Sequence, residues 1–142
     1  MPMNKTIKLV LGVCVALLVA LAAGWLWGAS GKGDADRALQ AARLRNELLE
    51  ARGAVLDARL DIYSINFGNA SRHLETAKNL LRSAGERIKS DGRTDEAKRV
   101  DDALSQIDVA QQMSGKLDQG AHAHAASAVS AIDGLLGAAG NR

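Results

Sequence analysis

Residues 44–88 read LRNELLEARGAVLDARLDIYSINFGNASRHLETAKNLLRSAGERI. Leu44, Leu48, Ala51, Val55, Ala58, Ile62 and Ile65 follow one another at alternating steps of four and three, the spacing of one helix face. Leu49, Leu56 and Tyr63 widen that stripe on one side. The rhythm restarts at Phe67 and continues through Ala70, Leu74, Ala77, Leu81, Ala84 and Ile88. The short step from Ile65 to Phe67 breaks the phase. This predicts a turn near Asn66, with Asn66 as N-cap of a second helix that ends near Ser90. Two apolar helix faces joined by a tight turn form a hairpin.

Asp91 and Gly92 supply the next turn. A third helix is expected from Asp95 to about Asp118, burying Ala97, Val100, Leu104, Ile107, Ala110 or Gln111, and Leu117. A fourth is expected from Ala121 to about Leu136. Shifting the sequence by 55 residues lays Leu49 on Leu104, Ala70 on Ala125, Leu80 and Leu81 on Leu135 and Leu136, and Ala84 with Gly85 on Ala139 with Gly140, while the core positions Leu74 and Ala77 become Val129 and Ile132. The expectation is therefore an internal repeat of two hairpins. Asn66, Phe67, Ala70, Leu74 and Ala77 resemble the second helix of a tetratricopeptide motif. Asp57 and Asp61 depart from it where such motifs are apolar, as does Arg82 where a Pro is usual. The resemblance implies helical hairpins, which pair into either a four-helix bundle or a short solenoid-like stack.

Composition agrees with an all-α fold. Aromatic residues are 3% of the 142 and there is one Pro, too little of either for a sheet-rich core with its turns. The part available for folding is shortened by an apolar block at the start, because residues 9–27 contain no charge. At 1.5 Å per residue such a helix comes close to a hydrocarbon core of about 30 Å. The expected organisation is a short cytoplasmic N-terminus at 1–8, a transmembrane signal-anchor helix at 9–28, a linker at 29–36, an antiparallel domain of about four helices at 37–139 and a tail at 140–142. Gly31, Lys32, Gly33 and Asp34 suit a flexible joint, with Asp34 or Asp36 capping the helix beyond.

Lys5 and Lys8 precede the block, and Trp25 and Trp27 close it where an interfacial belt would sit. The positive-inside rule then places the C-terminal domain outside the cytoplasm, in the periplasm of a single-pass inner-membrane protein, although Lys32, Arg37 and Arg43 weigh the other way. Cleavage after the small-x-small group Ala20, Leu21, Ala22 would instead release a secreted helical domain. Cys14, the one cysteine, lies inside the apolar block, which leaves no thiol or disulfide chemistry beyond it. Gly12, Ala16, Ala20, Gly24 and Gly28 form a small-residue row on one face. Such rows let transmembrane helices pack closely, here on a second copy or a membrane partner.

Setting Lys5 and Lys8 aside leaves 16 basic residues against 16 acidic ones. A neutral, aromatic-poor domain lacks what nucleic acid binding requires. Residues 37–90 carry net +4 and residues 91–142 net −3. The basic hairpin could face anionic headgroups or an acidic partner, or the two hairpins could pack against each other.

His73, His122 and His124 are the imidazoles. A step of two turns His122 and His124 about 200° apart on a helix, which argues against a shared metal. Asp95 with Glu96 and Asp101 with Asp102 sit near a helix start, where negative charge favours the dipole, and are expected at the surface. No Gly-x-Ser-x-Gly elbow or phosphate loop is present. The sequence points to no enzyme and no cofactor. It points to a membrane-anchored interaction or scaffold module, an accessory or assembly component of a bacterial-type envelope complex, with Leu39, Leu60 and Met113 as partner-surface residues lying off the main stripes. The alternative is a ligand or metal sensor or carrier with a site near His73 or His122.

Overall fold

The computed structural model describes residues 5–140, and the side chains of all of these except 5–11, 23 and 25–32. Every regular element among them is a helix: α1 (Lys5–Tyr63), α2 (Phe67–Ser90), α3 (Thr94–Gly115) and α4 (Ala121–Gly140). The chain divides into two compact units, Met1–Gln40 and Ala41–Arg142.

In the first unit α1 runs through residues 29–36 without a break, so the expected joint is helical. A glycine costs a helix only about 1 kcal/mol, too little to end one where no turn competes. Asp34 does not cap a new helix but pairs with Arg37 one turn on, at 3.4 Å. Val13, Val15, Leu17, Leu18, Val19 and Leu21 are each more than half exposed. Gly12, Ala16, Ala20 and Gly24 are also exposed. Lys5, Lys8, Trp25, Trp27 and Gly28 lie outside the residues whose side chains are described. Among the described residues no helix is long and apolar enough to cross a membrane.

The second unit is a four-helix bundle with up-down-up-down connectivity. Its core follows the four-three rhythm on every helix: Leu44, Leu48, Ala51, Val55, Ala58 and Ile62 on α1, and Phe67 to Ile88 on α2 as the sequence spacing predicts. On α3 the buried positions are Glu96, Val100, Ala103, Ile107, Ala110 and Ser114, with Ala97 beside them. On α4 they are Ala121, Ala125, Ala128, Ile132 and Leu135, with Val129 beside them. Among the described residues, twelve of the 25 buried apolar ones are alanines. Small residues in core positions let facing helices approach to the short end of the usual 8–10 Å range. Gly85 shows how close α2 and α3 come, since a methyl group there would lie 3.1 Å from Val100 Cγ1.

Polar contacts along four seams give the order of the helices and close the ring. Glu47 of α1 accepts from Ser83 and Arg87 of α2. Lys78 of α2 meets Asp108 of α3 at 2.6 Å. His124 Nδ1 of α4 donates to Gln106 Oε1 of α3 at 2.9 Å. Arg52 of α1 meets Asp133 of α4 at 2.6 Å. The contact of α4 with α1 makes a closed bundle of what the sequence left as bundle or stack. The opposite charges of the hairpins are matched internally: Arg52–Asp133, Lys78–Asp108 and Lys89–Asp101 each put the base on the first hairpin and the acid on the second.

Several expectations need correction. α3 ends at Gly115, so Leu117 is an exposed turn residue and Ser114 takes the last core position. Glu96 is not at the surface but 7% exposed, because the four-three register of α3 begins there. It is paired with Arg93 across two guanidinium nitrogens. The repeat has two registers. Between α2 and α4 the shift of 55 matches burial, laying Ala70, Leu74 and Ala77 on Ala125, Val129 and Ile132. Between α1 and α3 a shift of 52 does so, bringing Leu48, Ala51, Val55, Ala58 and Ile62 onto Val100, Ala103, Ile107, Ala110 and Ser114. There the 55-residue shift lays exposed Leu49 on half-buried Leu104, so identity of residue type gave a register that the heptad phase of burial does not follow.

Candidate docking groove

Three helix ends in the bundle share one hydrogen-bonding pattern. Ile65 N–H donates to Ile62 C=O and Asn66 N–H to Asp61 C=O. Gly92 N–H donates to Lys89 C=O and Arg93 N–H to Ile88 C=O. Leu117 N–H donates to Ser114 C=O and Asp118 N–H to Met113 C=O. Each is a Schellman end, which requires a left-handed residue just past the helix, ordinarily Gly. Gly92 meets that requirement at φ +71. The other two turns, both at the opposite end of the bundle, place Ile65 and Leu117 there at φ 59.

A branched apolar side chain in this conformation is a genuine outlier, and such strain concentrates at functional positions. Neither side chain is held by the core, because Ile65 is 67% and Leu117 71% exposed. Leu60 at 66% and Tyr63 at 79% stand exposed on the last turn of α1 at the same end. Burying these groups is worth about 25 cal/mol per Å² of apolar surface, which the isolated bundle forgoes. Asn66 starts α2 at this end by accepting from the Asn69 N–H.

Leu60 and Tyr63 also line a groove of 480 Å³ with Leu56, Arg59 and His122, along the α1/α4 seam. Its walls are apolar, with the two basic side chains as the polar exception. Arg59 Nη2 lies 3.3 Å from His122 Nε2. Neutral imidazole can accept at Nε2 from the guanidinium; protonated imidazole cannot. Arg59 Nε is buried with no hydrogen-bond partner. The volume falls in the range of small-molecule sites.

The three imidazoles lie on three different seams. His73 faces Asp61 of α1 at 3.5 Å, His122 faces Arg59, and His124 faces Gln106. No group of three or more His, Cys, Asp or Glu that could hold a metal occurs among the described residues. Of the residues expected to form a partner surface, Leu60 lies in the groove. Leu39 is exposed in the first unit. Met113 is partly buried and packs against the core. Sequence reading passed over Arg59, Tyr63, Ile65 and Leu117 as groove or turn residues. Ile65 and Leu117 fit the apolar stripes by spacing and were therefore expected inside.

Comparison with protein-family models, curated proteins and solved structures finds no match to the chain.

Proposed function

We propose that this protein is a membrane-tethered helical docking module without catalytic activity, which binds a protein partner through the loop end of its bundle. The observation that carries this reading is the set Leu60, Tyr63, Ile65 and Leu117, four large apolar side chains exposed at one end. Two of them are held in a backbone conformation that costs stability. Contiguous exposed apolar surface marks interaction sites on otherwise soluble domains.

The tether is the uncharged run 9–27, supported by the exposed apolar side chains from Val13 to Leu21, which water would disfavour. Lys5 and Lys8 on its N-terminal flank favour a bundle outside the cytoplasm, on the periplasmic side of a bacterial-type inner membrane. The row Gly12, Ala16, Ala20, Gly24 and Gly28 suits packing on another membrane helix. An accessory or assembly role in an envelope complex follows from tether and docking surface together.

The test is in-cell crosslinking and recovery of the full chain, compared with a Leu60→Ser, Tyr63→Ser double variant. Both positions are exposed, so helical content should be unchanged while partner recovery is lost. Full recovery from the double variant would refute the loop-end surface. Removal of residues 1–28 should move the product from the membrane to the soluble fraction, and retention in the membrane would refute the tether.

A further inference from the structure

Arg45, Arg52 and Arg59 stand seven residues apart, on one line of α1 that faces α4. The corresponding positions of α4, also spaced by seven in this antiparallel pair, are Gly140, Asp133 and Ala126. Arg45 Nη1 lies near Gly140, 3.4 Å from where a Cβ would be. Arg52 has its carboxylate in Asp133 at 2.6 Å. Opposite both Arg45 and Arg59 the heptad positions of α4 hold no acid, and the Arg59 guanidinium reaches His122. Arg52, Lys78 and Lys89 of the basic hairpin do pair with acids of the acidic one. Arg45 is exposed to water, whereas Arg59 is withdrawn from it and lacks an anion.

The setting makes this deficit consequential. Arg59 is half-buried, its Nε has no partner, and its guanidinium reaches only an imidazole, which is neutral or positive. A guanidinium prefers a bidentate carboxylate, and apolar walls strengthen such a pair. The walls here are Leu56, Leu60 and Tyr63. From this we infer that the groove receives an acidic, apolar segment of a partner protein, an Asp or Glu carboxylate pairing with Arg59 while flanking apolar side chains cover Leu60 and Tyr63. This assignment rests on the docking reading above and names the chemistry of the partner. A helix laid in the groove with an acid between apolar anchors has the required form.

The experiment places a photo-crosslinking amino acid at position 63 of the full chain in its own membrane. The crosslinked segment is identified by mass spectrometry, and the yield is compared among wild type, Arg59→Lys and Arg59→Glu, each checked for an unchanged thermal melt. The captured segment should carry an Asp or Glu within one helical turn of an apolar residue. Arg59→Glu should lower the yield by about tenfold or more, as for a broken interfacial charge pair, and Arg59→Lys should lower it less. Changing the captured acid to Lys should restore the yield with Arg59→Glu.

Capture of a protein segment with a yield indifferent to the charge at position 59 would overturn the assignment and leave the docking reading intact. Capture of lipid alone, or of a second copy of this chain, would overturn it as well. Absence of any crosslink from position 63 would remove both.

Discussion

Ile65 and Leu117 adopt the same left-handed backbone, φ 59 at each, 52 residues apart and at the same end of the bundle. Their helices end with matching hydrogen bonds, so the two turns are structural equivalents in the repeated hairpin. The third such turn uses Gly92, for which the left-handed backbone carries no side-chain cost. Left-handed geometry costs a non-glycine residue about 1–2 kcal/mol, offset in part by the greater unfolded-state freedom of Gly. Ile65→Gly and Leu117→Gly should therefore each stabilise the bundle, by about 0.5–1 kcal/mol, or a few degrees in Tm. The same variants should bind partner less well. Thermal unfolding followed by circular dichroism checks the first expectation, and a decrease in Tm would show that the turns are relaxed as they stand.

The contact of α2 with α3 predicts a substitution whose sign depends on its neighbour. Ala is the better helix former by about 1 kcal/mol, so Gly85→Ala would ordinarily stabilise. Its methyl would lie 3.1 Å from Val100 Cγ1, and a helical Val has essentially one χ1 rotamer with which to answer. Gly85→Ala should therefore be destabilising in the wild type and stabilising in a Val100→Ala background. Urea unfolding of the four proteins in this cycle gives the coupling directly.

Ser114 holds the core position that Ile62 holds in the other hairpin, and its hydroxyl is buried without a partner. Burying a hydroxyl unpaired costs about 1–3 kcal/mol. Ser114→Ala removes that cost with little change of volume, and should raise the unfolding free energy by about 1 kcal/mol. A decrease in the urea midpoint would indicate that the hydroxyl is engaged.

A polar cluster on the α2/α3 seam gives the bundle a stability profile that falls at both extremes of pH. The Gln111 amide donating to Glu75, with Lys78 beside it, holds the Glu75 carboxyl below the ordinary glutamate range. Its contribution is present above that range and is lost as the pH falls through the depressed value. Lys78 is held above the ordinary lysine range, first by its hydrogen bond to Asp108. That contribution is present below the range and is lost as the pH rises through the raised value. Urea midpoints across pH should fall at both ends, and Gln111→Ala should flatten the acid side most; the alkaline side, held first by Asp108, should lose only the bond that Gln111 Oε1 accepts from Lys78.

How much of this was legible depended on how strongly local pattern determines outcome. The α1/α2 hairpin was read almost to the residue, because Leu44 to Ile62 and Phe67 to Ile88 each repeat at four and three and Asn66 marks the break between them. The end of α3 was not, since Leu117 continues the apolar spacing and only the Schellman geometry after Gly115 turns it out to water. Glu96 was expected at the surface because a charged residue on a first turn usually is; its burial depends on Arg93 reaching across it. The groove was illegible for a different reason. Arg59 and His122 are 63 positions apart, and the missing acid opposite Arg59 is visible only once α4 is known to lie against α1.

The central claim is that the loop end is covered by a partner in the membrane. It is tested most directly by maleimide labelling of single cysteines in a Cys14→Ser background. Tyr63, Ile65 and Leu117 report on the loop end, with Ser90 and Lys98 at the other end as controls. All five side chains are exposed in the bundle alone, so any difference between the ends comes from what covers them. In native membranes the three loop-end cysteines should label several-fold more slowly than the controls, and after purification all five should label alike. Equal rates at both ends in native membranes would contradict the account.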